Sequence, residues 1–276
     1  AGAPRVRFEG LGILAQPFES PICCPRSGQR RAPRARVLYS DSQAPIQPKG
    51  IRLAVSSTPE KRKPHMLIIT IKQGKEKALL AGDPWIYLSA IEKVDGKPNE
   101  RNKLGATAIV QSSSRQFLAR AAYNAKSQIA ARVWTLREDE PIDHALIKRR
   151  VQAAVQRRAV KWSIADPQEL FQLIDGDKDG LPGLLVHSYG GAAGYLVCQF
   201  NGAGVDLWRV AIVQALLKET GCPNVFERSD ELLRKGEGLP VIWRVLAGEE
   251  PPQKLMVREG KRIVPMDIRT GFTYPR

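Results

Sequence analysis

The chain is poor in the residues that build metal centres and disulfide frameworks. Its 276 residues include only four cysteines and three histidines. Cys23 and Cys24 are adjacent, Cys198 and Cys222 stand alone, and no pair has the spacing of a zinc site. This supports reduced thiols in a cytoplasmic protein, with no metal expected. No run approaches the roughly 18 apolar residues of a membrane span, and no secretory leader pattern opens the sequence, so no membrane partner is expected. Acidic residues are also short: 28 Asp and Glu face 43 Lys and Arg, a formal charge of +15. That excess favours a polyanionic partner such as RNA. Hydrophobic residues make up 43% of the chain, enough for ordinary cores, and the length suits two domains.

The charge is unevenly placed. Residues 1–65 hold 12 Lys and Arg against four Asp and Glu, together with nine of the 20 prolines, and show no helix or strand period. They are expected to form a disordered basic extension, within which Arg30, Arg31, Arg34 and Arg36 are a candidate nucleic-acid-binding stretch. Met66 opens the first regular pattern and reads as a natural start.

From there the periodicity is that of short strands. Leu67–Ile71, Trp85–Val94, Ala106–Gln111, Gln116–Tyr123 and Ala130–Leu136 are split by Gly, Ser and Asn, the pattern of a small β-barrel over residues 66–138. Its basic side chains are either solvated charges or phosphate contacts. Asp143 is placed to cap a helix reaching about Trp162, with Ile147, Val151, Val155 and Trp162 facing a core. Strands over 171–174, 184–187 and 195–200, a helix over 205–219 ended by Gly221, and closing strands over 241–247, 254–258 and 261–268 complete an α/β domain spanning 139–268.

Between the first two of those strands lies the densest turn chemistry in the chain, Asp175 to Gly183. Three Asp can bond nearby backbone N–H groups, and Pro182-Gly183 suits a type II turn. Asp175 to Gly180 also fits the opening of an EF-hand loop, D-x-D-x-D-G. Position twelve, where a bidentate Glu is needed, is Val186 inside a strand, which argues against calcium. A catalytic Ser229 would need a base, and His187 is the one candidate near it in sequence.

Three stretches resemble one family. The run Phe171-Gln-Leu-Ile-Asp-Gly-Asp-Lys-Asp-Gly-Leu-Pro-Gly-Leu-Leu-Val-His-Ser-Tyr-Gly190 is similar to the central-domain signature of the PUA-containing, S-adenosylmethionine-dependent large-subunit rRNA (cytosine-C5) methyltransferases. Gly74 to Tyr87 and Phe117 to Thr135 resemble the two ends of that family's PUA domain, and Arg228-Ser229-Asp230 with Arg234 to Gly238 resembles a further segment. Asp267 to Phe272 is similar to the linker into the family's catalytic domain, with Arg269 where Lys is usual.

The resemblance implies an α+β fold: a small PUA-like β-barrel, then a mixed α/β central domain of strand–strand–helix–strand–helix (EEHEH-like) order. The Rossmann-like methyltransferase domain is expected to be absent, and residues 269–276 to begin the linker toward it. No G-x-G-x-x-G occurs; Gly202-Ala-Gly204 opens a helix after a strand but lacks the third glycine. No cysteine lies in a context matching the family's nucleophile; Cys198 and Cys222 read as packing residues. The implied partner is large-subunit ribosomal RNA. Its candidate contacts are Lys75, Lys77, Arg120, Arg132, Arg228, Arg234 and Lys235. S-adenosylmethionine is the implied cofactor of the full-length family, with none expected for this chain alone. Thr270, Gly271 and Phe272 are a partial cofactor-binding element. The expectation is therefore the RNA-recognition portion of an rRNA methyltransferase, inactive by itself. The alternative is a stand-alone PUA-type RNA-binding protein without enzymatic activity.

Overall fold

Leu67–Ile71 alternates buried and half-buried side chains, as a strand with one face on a core must, and forms β1. The computed structural model describes residues 66–164 and 166–274. The extension expected over 1–65 lies outside the described residues. Around β1 a six-stranded sheet assembles from β2 (Trp85–Ile86), β3 (Ile91–Asp95), β4 (Ala106–Gln111), β5 (Phe117–Tyr123) and β6 (Ala131–Thr135), in the order β2-β6-β5-β4-β1-β3. The β1–β4 pair is parallel and the others antiparallel. Leu67, Ile69, Ile71, Ala108, Val110, Ala119 and Ala121 fill its core.

The single strand expected over 85–94 is two strands. Ile86 and Ile91 are buried while Tyr87 and Leu88 are exposed. Because β2 pairs with β6 at one edge and β3 with β1 at the other, the chain must cross between edges. A 3-10 turn at Leu88–Ala90 makes that crossing.

The second part opens with a helix, His144–Arg157. Its N-cap is Asp143, whose carboxylate accepts from the Leu146 N–H at 2.8 Å. The long helix expected here breaks at Arg158, and a short helix follows at Ala159–Ser163. The cause is local: the Arg158 guanidinium turns back to the Ala154 carbonyl and to Asp179. A five-stranded sheet then forms from β7 (Leu170–Asp175), β8 (Leu184–Tyr189), β9 (Tyr195–Phe200), β10 (Val225–Arg228) and β11 (Trp243–Ala247), each paired to the next.

Here the expected strand–strand–helix–strand–helix order is corrected. Three strands, β7 to β9, run antiparallel before the chain leaves the sheet. It returns as β10 parallel to β9, through helices at Ala203–Leu207 and Arg209–Thr220. A parallel pair needs such a crossover, so this is a βαβ unit within a mixed sheet. Gly221 ends the second helix at φ +69°. A separate three-stranded sheet, β12 (Leu255–Glu259), β13 (Arg262–Asp267) and β14 (Phe272–Thr273), follows instead of strands added to the main one.

The two parts share a core. Ala122 and Trp134 of the first sheet pack with Ile147, Val151, Leu184, Phe200, Val205 and Leu216 of the second part. Gly204 makes the approach possible, since a Cβ there would lie 2.5 Å from the Ala122 methyl. Among the described residues no helix is long and apolar enough to cross a membrane.

Candidate nucleic-acid interface

The seam between the parts is polar where it is not apolar, and one carboxylate organises it. A short helix, Glu231–Gly236, capped by Asp230 at 2.8 Å from the Leu233 N–H, delivers Glu237 to the seam. Glu237 is buried. It accepts from Ser127 Oγ at 2.7 Å, Asn124 Nδ2 at 2.9 Å, the Arg132 guanidinium at 2.9 Å and the Ala203 N–H at 3.3 Å. Asn124 Nδ2 also donates to the Glu237 carbonyl. Three residues of the first part, Arg132 on β6 and Asn124 and Ser127 in the loop before it, thus converge on one carboxylate of the second part. A desolvated ion pair persists where its remaining valences are filled, and those of the Glu237 carboxylate are.

Behind this network lies a second one, and it removes a candidate contact. Arg234, expected to reach RNA, has no exposed surface. Its Nε donates to the Pro240 carbonyl at 2.6 Å, and one terminal nitrogen donates to the Phe200 carbonyl at 2.7 Å and to Asp206 at 2.8 Å. Glu227, also fully buried, lies 3.7 Å away and accepts from Ser229 Oγ at 3.0 Å. Arg209 joins the same carboxylates. Arg234 is an internal strut, and Ser229 serves Glu227 rather than acting as a nucleophile.

The signature turn has a similar character. The Asp179 carboxylate is buried and binds Arg157 at 2.6 Å and Arg158 at 3.1 Å, while accepting from the Asp175 N–H at 2.8 Å. Those bonds commit the group that a calcium loop would need, and the segment is a helical turn, Gly176–Asp179, closed by Gly180 at φ +71°. Arg150 donates to the Gly180 carbonyl and sits over the Trp134 ring. Gly183, at φ +88°, fits the expected turn and brings its backbone against Gly202, where a Cβ would approach to 3.0 Å.

A cleft of about 230 Å³ opens beside this turn at the seam. Trp85, Ile129 and Arg132 line it from the first part. Asp175, Gly176, Asp177, Gly183, Leu184 and Leu185 line it from the turn, with Asn201 and Leu233 completing the wall. Arg132 lies 5.9 Å from the Trp85 ring centroid, a cation–π distance.

The other expected contacts fall into two groups. Lys75 and Lys77 are exposed, just before and within α1 (Glu76–Leu80). Lys235 is exposed and pairs with Glu231 one helical turn back. Arg120 and Arg228 are half-buried and used internally. Arg120 donates to the Glu138 carbonyl at 2.8 Å, and Arg228 to the Ile268 carbonyl at 2.7 Å. Arg132 pairs with Glu237 at the seam. Lys75, Lys77 and Lys235 are thus the candidates left on the open surface.

Thr270, Gly271 and Phe272, expected as a partial cofactor-binding element, lie together in one turn. Thr270 Oγ1 accepts from the Phe272 N–H at 3.2 Å and donates to the Asp267 carbonyl. Gly271, at φ +79°, abuts the Arg228 guanidinium, and Phe272 stacks edge-on against Tyr274 at 5.0 Å. They build the hairpin turn between β13 and β14. The two described cysteines, Cys198 and Cys222, are buried. Burial pushes both thiols up, and Glu227 adds to the effect at Cys198, the opposite of an activated nucleophile.

Residues 69–136 match the PUA-like domain family. Over 74% of its length the chain is 36% identical to ribosomal RNA large subunit methyltransferase I of Aliivibrio fischeri, and over the same share 38% identical to that of Pseudoalteromonas atlantica. The protein of that name from Vibrio cholerae is 37% identical. The chain spans about half the length of these curated relatives, 50% in each case. Among solved structures, one described as a SAM-dependent methyltransferase from Streptococcus mutans superposes with a TM-score of 0.59 at 14% identity, covering 75% of this chain and 50% of that one. A methyltransferase complexed with SAH aligns with the same score.

That likeness overturns the expected fold class, which set the chain apart from methyltransferase architecture. Three quarters of the chain superposes on methyltransferase structures, so its fold is one those proteins carry. The element that the sequence reading undervalued is the β9–β10 crossover, the type of βαβ unit from which Rossmann-like sheets are built. A crossover of this kind forms without a G-x-G-x-x-G run.

Proposed function

We propose that the PUA-like domain and the adjoining mixed-sheet part recognise large-subunit ribosomal RNA for an S-adenosylmethionine-dependent cytosine-C5 methyltransferase. The observation that carries this is the joint match: a PUA-like domain at residues 69–136 together with 36–38% identity to rRNA large subunit methyltransferases that continues across the seam. The physical role follows from the charge. Lys75, Lys77 and Lys235 are surface ammonium groups, which position a phosphate backbone without reading sequence. The buried Glu237 network fixes the two parts as one platform, so phosphate contacts on both act at a set spacing. S-adenosylmethionine supplies the methyl group in that reaction; the described residues contribute RNA positioning. A cytoplasmic location accords with a ribosomal RNA substrate.

The test is salt-titrated binding of the full chain to structured large-subunit rRNA fragments. Affinity should fall steeply with salt, and Lys75→Glu with Lys77→Glu should weaken binding and shallow the slope by about one phosphate each. Salt-independent binding, or an unchanged slope in the double variant, would count against the reading.

A further inference from the structure

We propose that the seam cleft between Trp85 and Leu233 receives a single unpaired nucleobase of a bound RNA. The proposal deepens the RNA-recognition reading and rests on it. The cleft's volume, about 230 Å³, is below the roughly 300–1,000 Å³ typical of sites for drug-sized ligands. It suits one flat ring system and not a whole cofactor or a base pair.

Its walls have the chemistry of a stacking site. The Trp85 indole is 36% exposed and Leu233 is 52% exposed, although both border a concave surface. Exposed apolar side chains that line one cleft present a face without a partner. Gly176 and Gly183 contribute backbone to the turn's side of the cleft. Arg132, already over the indole, is pinned by Glu237 through one terminal nitrogen, while its buried Nε–H has no hydrogen-bond partner among the described residues. A pre-organised guanidinium beside an indole offers both a stacking plane and donors for a base edge.

Charge decides which part of a nucleotide enters. Asp175 and Asp177 line the cleft. Their carboxylates disfavour a phosphate inside it, leaving the backbone to the surface lysines. Ionised carboxylates only accept hydrogen bonds. They therefore suit a base edge with an exocyclic amine, as in cytosine, adenine or guanine, over uracil, which presents a carbonyl oxygen at the corresponding position.

The experiment uses the full chain and an RNA duplex carrying one bulged cytidine, with matched duplexes carrying a bulged uridine or an abasic residue. Binding is read by fluorescence anisotropy across a salt series. The cytidine bulge should bind more tightly than the abasic one by roughly 5- to 150-fold, the range of one base–aromatic stack, and more tightly than the uridine bulge. Trp85→Ala should remove the cytidine advantage while leaving the salt slope unchanged, and Trp85→Phe should keep most of it. Equal binding of the cytidine and abasic duplexes with a normal salt slope, or a cytidine advantage that survives Trp85→Ala, would overturn the pocket and leave RNA recognition standing. Absence of binding to all the RNAs, the rRNA fragments included, would overturn the RNA reading and this proposal with it.

Discussion

Replacing Glu237 by Ala should loosen the joint between the two parts more than any surface change. The side chain accepts four hydrogen bonds, from Ser127, Asn124, Arg132 and the Ala203 N–H. Its removal leaves the Arg132 guanidinium, 14% exposed, facing a void without its counter-charge. Breaking a buried ion pair by deleting one partner costs about 3–5 kcal/mol. At about 2–4 °C per kcal/mol for a folded region of this size, the melting temperature should fall by about 6–20 °C. Glu237→Gln keeps the shape and one acceptor but loses the charge, and should cost about 1.5–3 kcal/mol, the worth of a hydrogen bond to a charged group. The assay is thermal unfolding followed by circular dichroism and calorimetry together, because separate transitions for the two parts would be a departure from two-state behaviour. A cycle with Arg132→Met should return a coupling of about 0.5–3 kcal/mol. If Glu237→Ala stays within about 0.5 kcal/mol of the parent, as exposed substitutions do, the seam is not held as described.

Two further outcomes test the packing and the electrostatics. Gly105→Ala places a Cβ 2.2 Å from the Ala203 carbonyl at φ +76°, whereas Gly74→Ala at φ +84° meets nothing within 4 Å. The first should lose about 2–4 kcal/mol in urea unfolding and the second about 1 kcal/mol, from backbone strain alone. Burial, and then the nearby Arg228 cation, lower the His187 pKa. The unfolded chain therefore binds the proton first, so the contribution of His187 to stability is complete above about pH 6.5 and declines as pH falls toward its folded value. Arg228→Gln should move the His187 imidazole titration upward by NMR, and no movement would remove the charge contribution.

Local patterns were legible because local chemistry decides them. The Asp143 cap, the Gly221 stop and the Pro182-Gly183 turn stand where side chains bonding their own backbone, or a glycine at positive φ, left no good alternative. Strand pairing was less legible, since periodicity shows which face is buried and not which strand lies alongside. The stretch 85–94 was divided by pairing to opposite edges, and the β9–β10 crossover was hidden for the same reason. Charged side chains were the least legible of all. Composition counts Arg120, Arg132, Arg228 and Arg234 with the lysines as basic surface, yet the fold uses their planar, multi-donor heads on carbonyls and carboxylates. One signal was available. Asn124, Ser127 and Arg132 stand inside the family-like run 117–135, and Glu237 inside the run 234–238. Polar residues embedded in specific matches are the ones a buried network needs. For a strongly basic chain the physical consequence is that net charge overstates the interaction surface. Arginines bound to internal acceptors add to the long-range field, while the lysines whose ammonium groups remain in water are the cations left open to a partner.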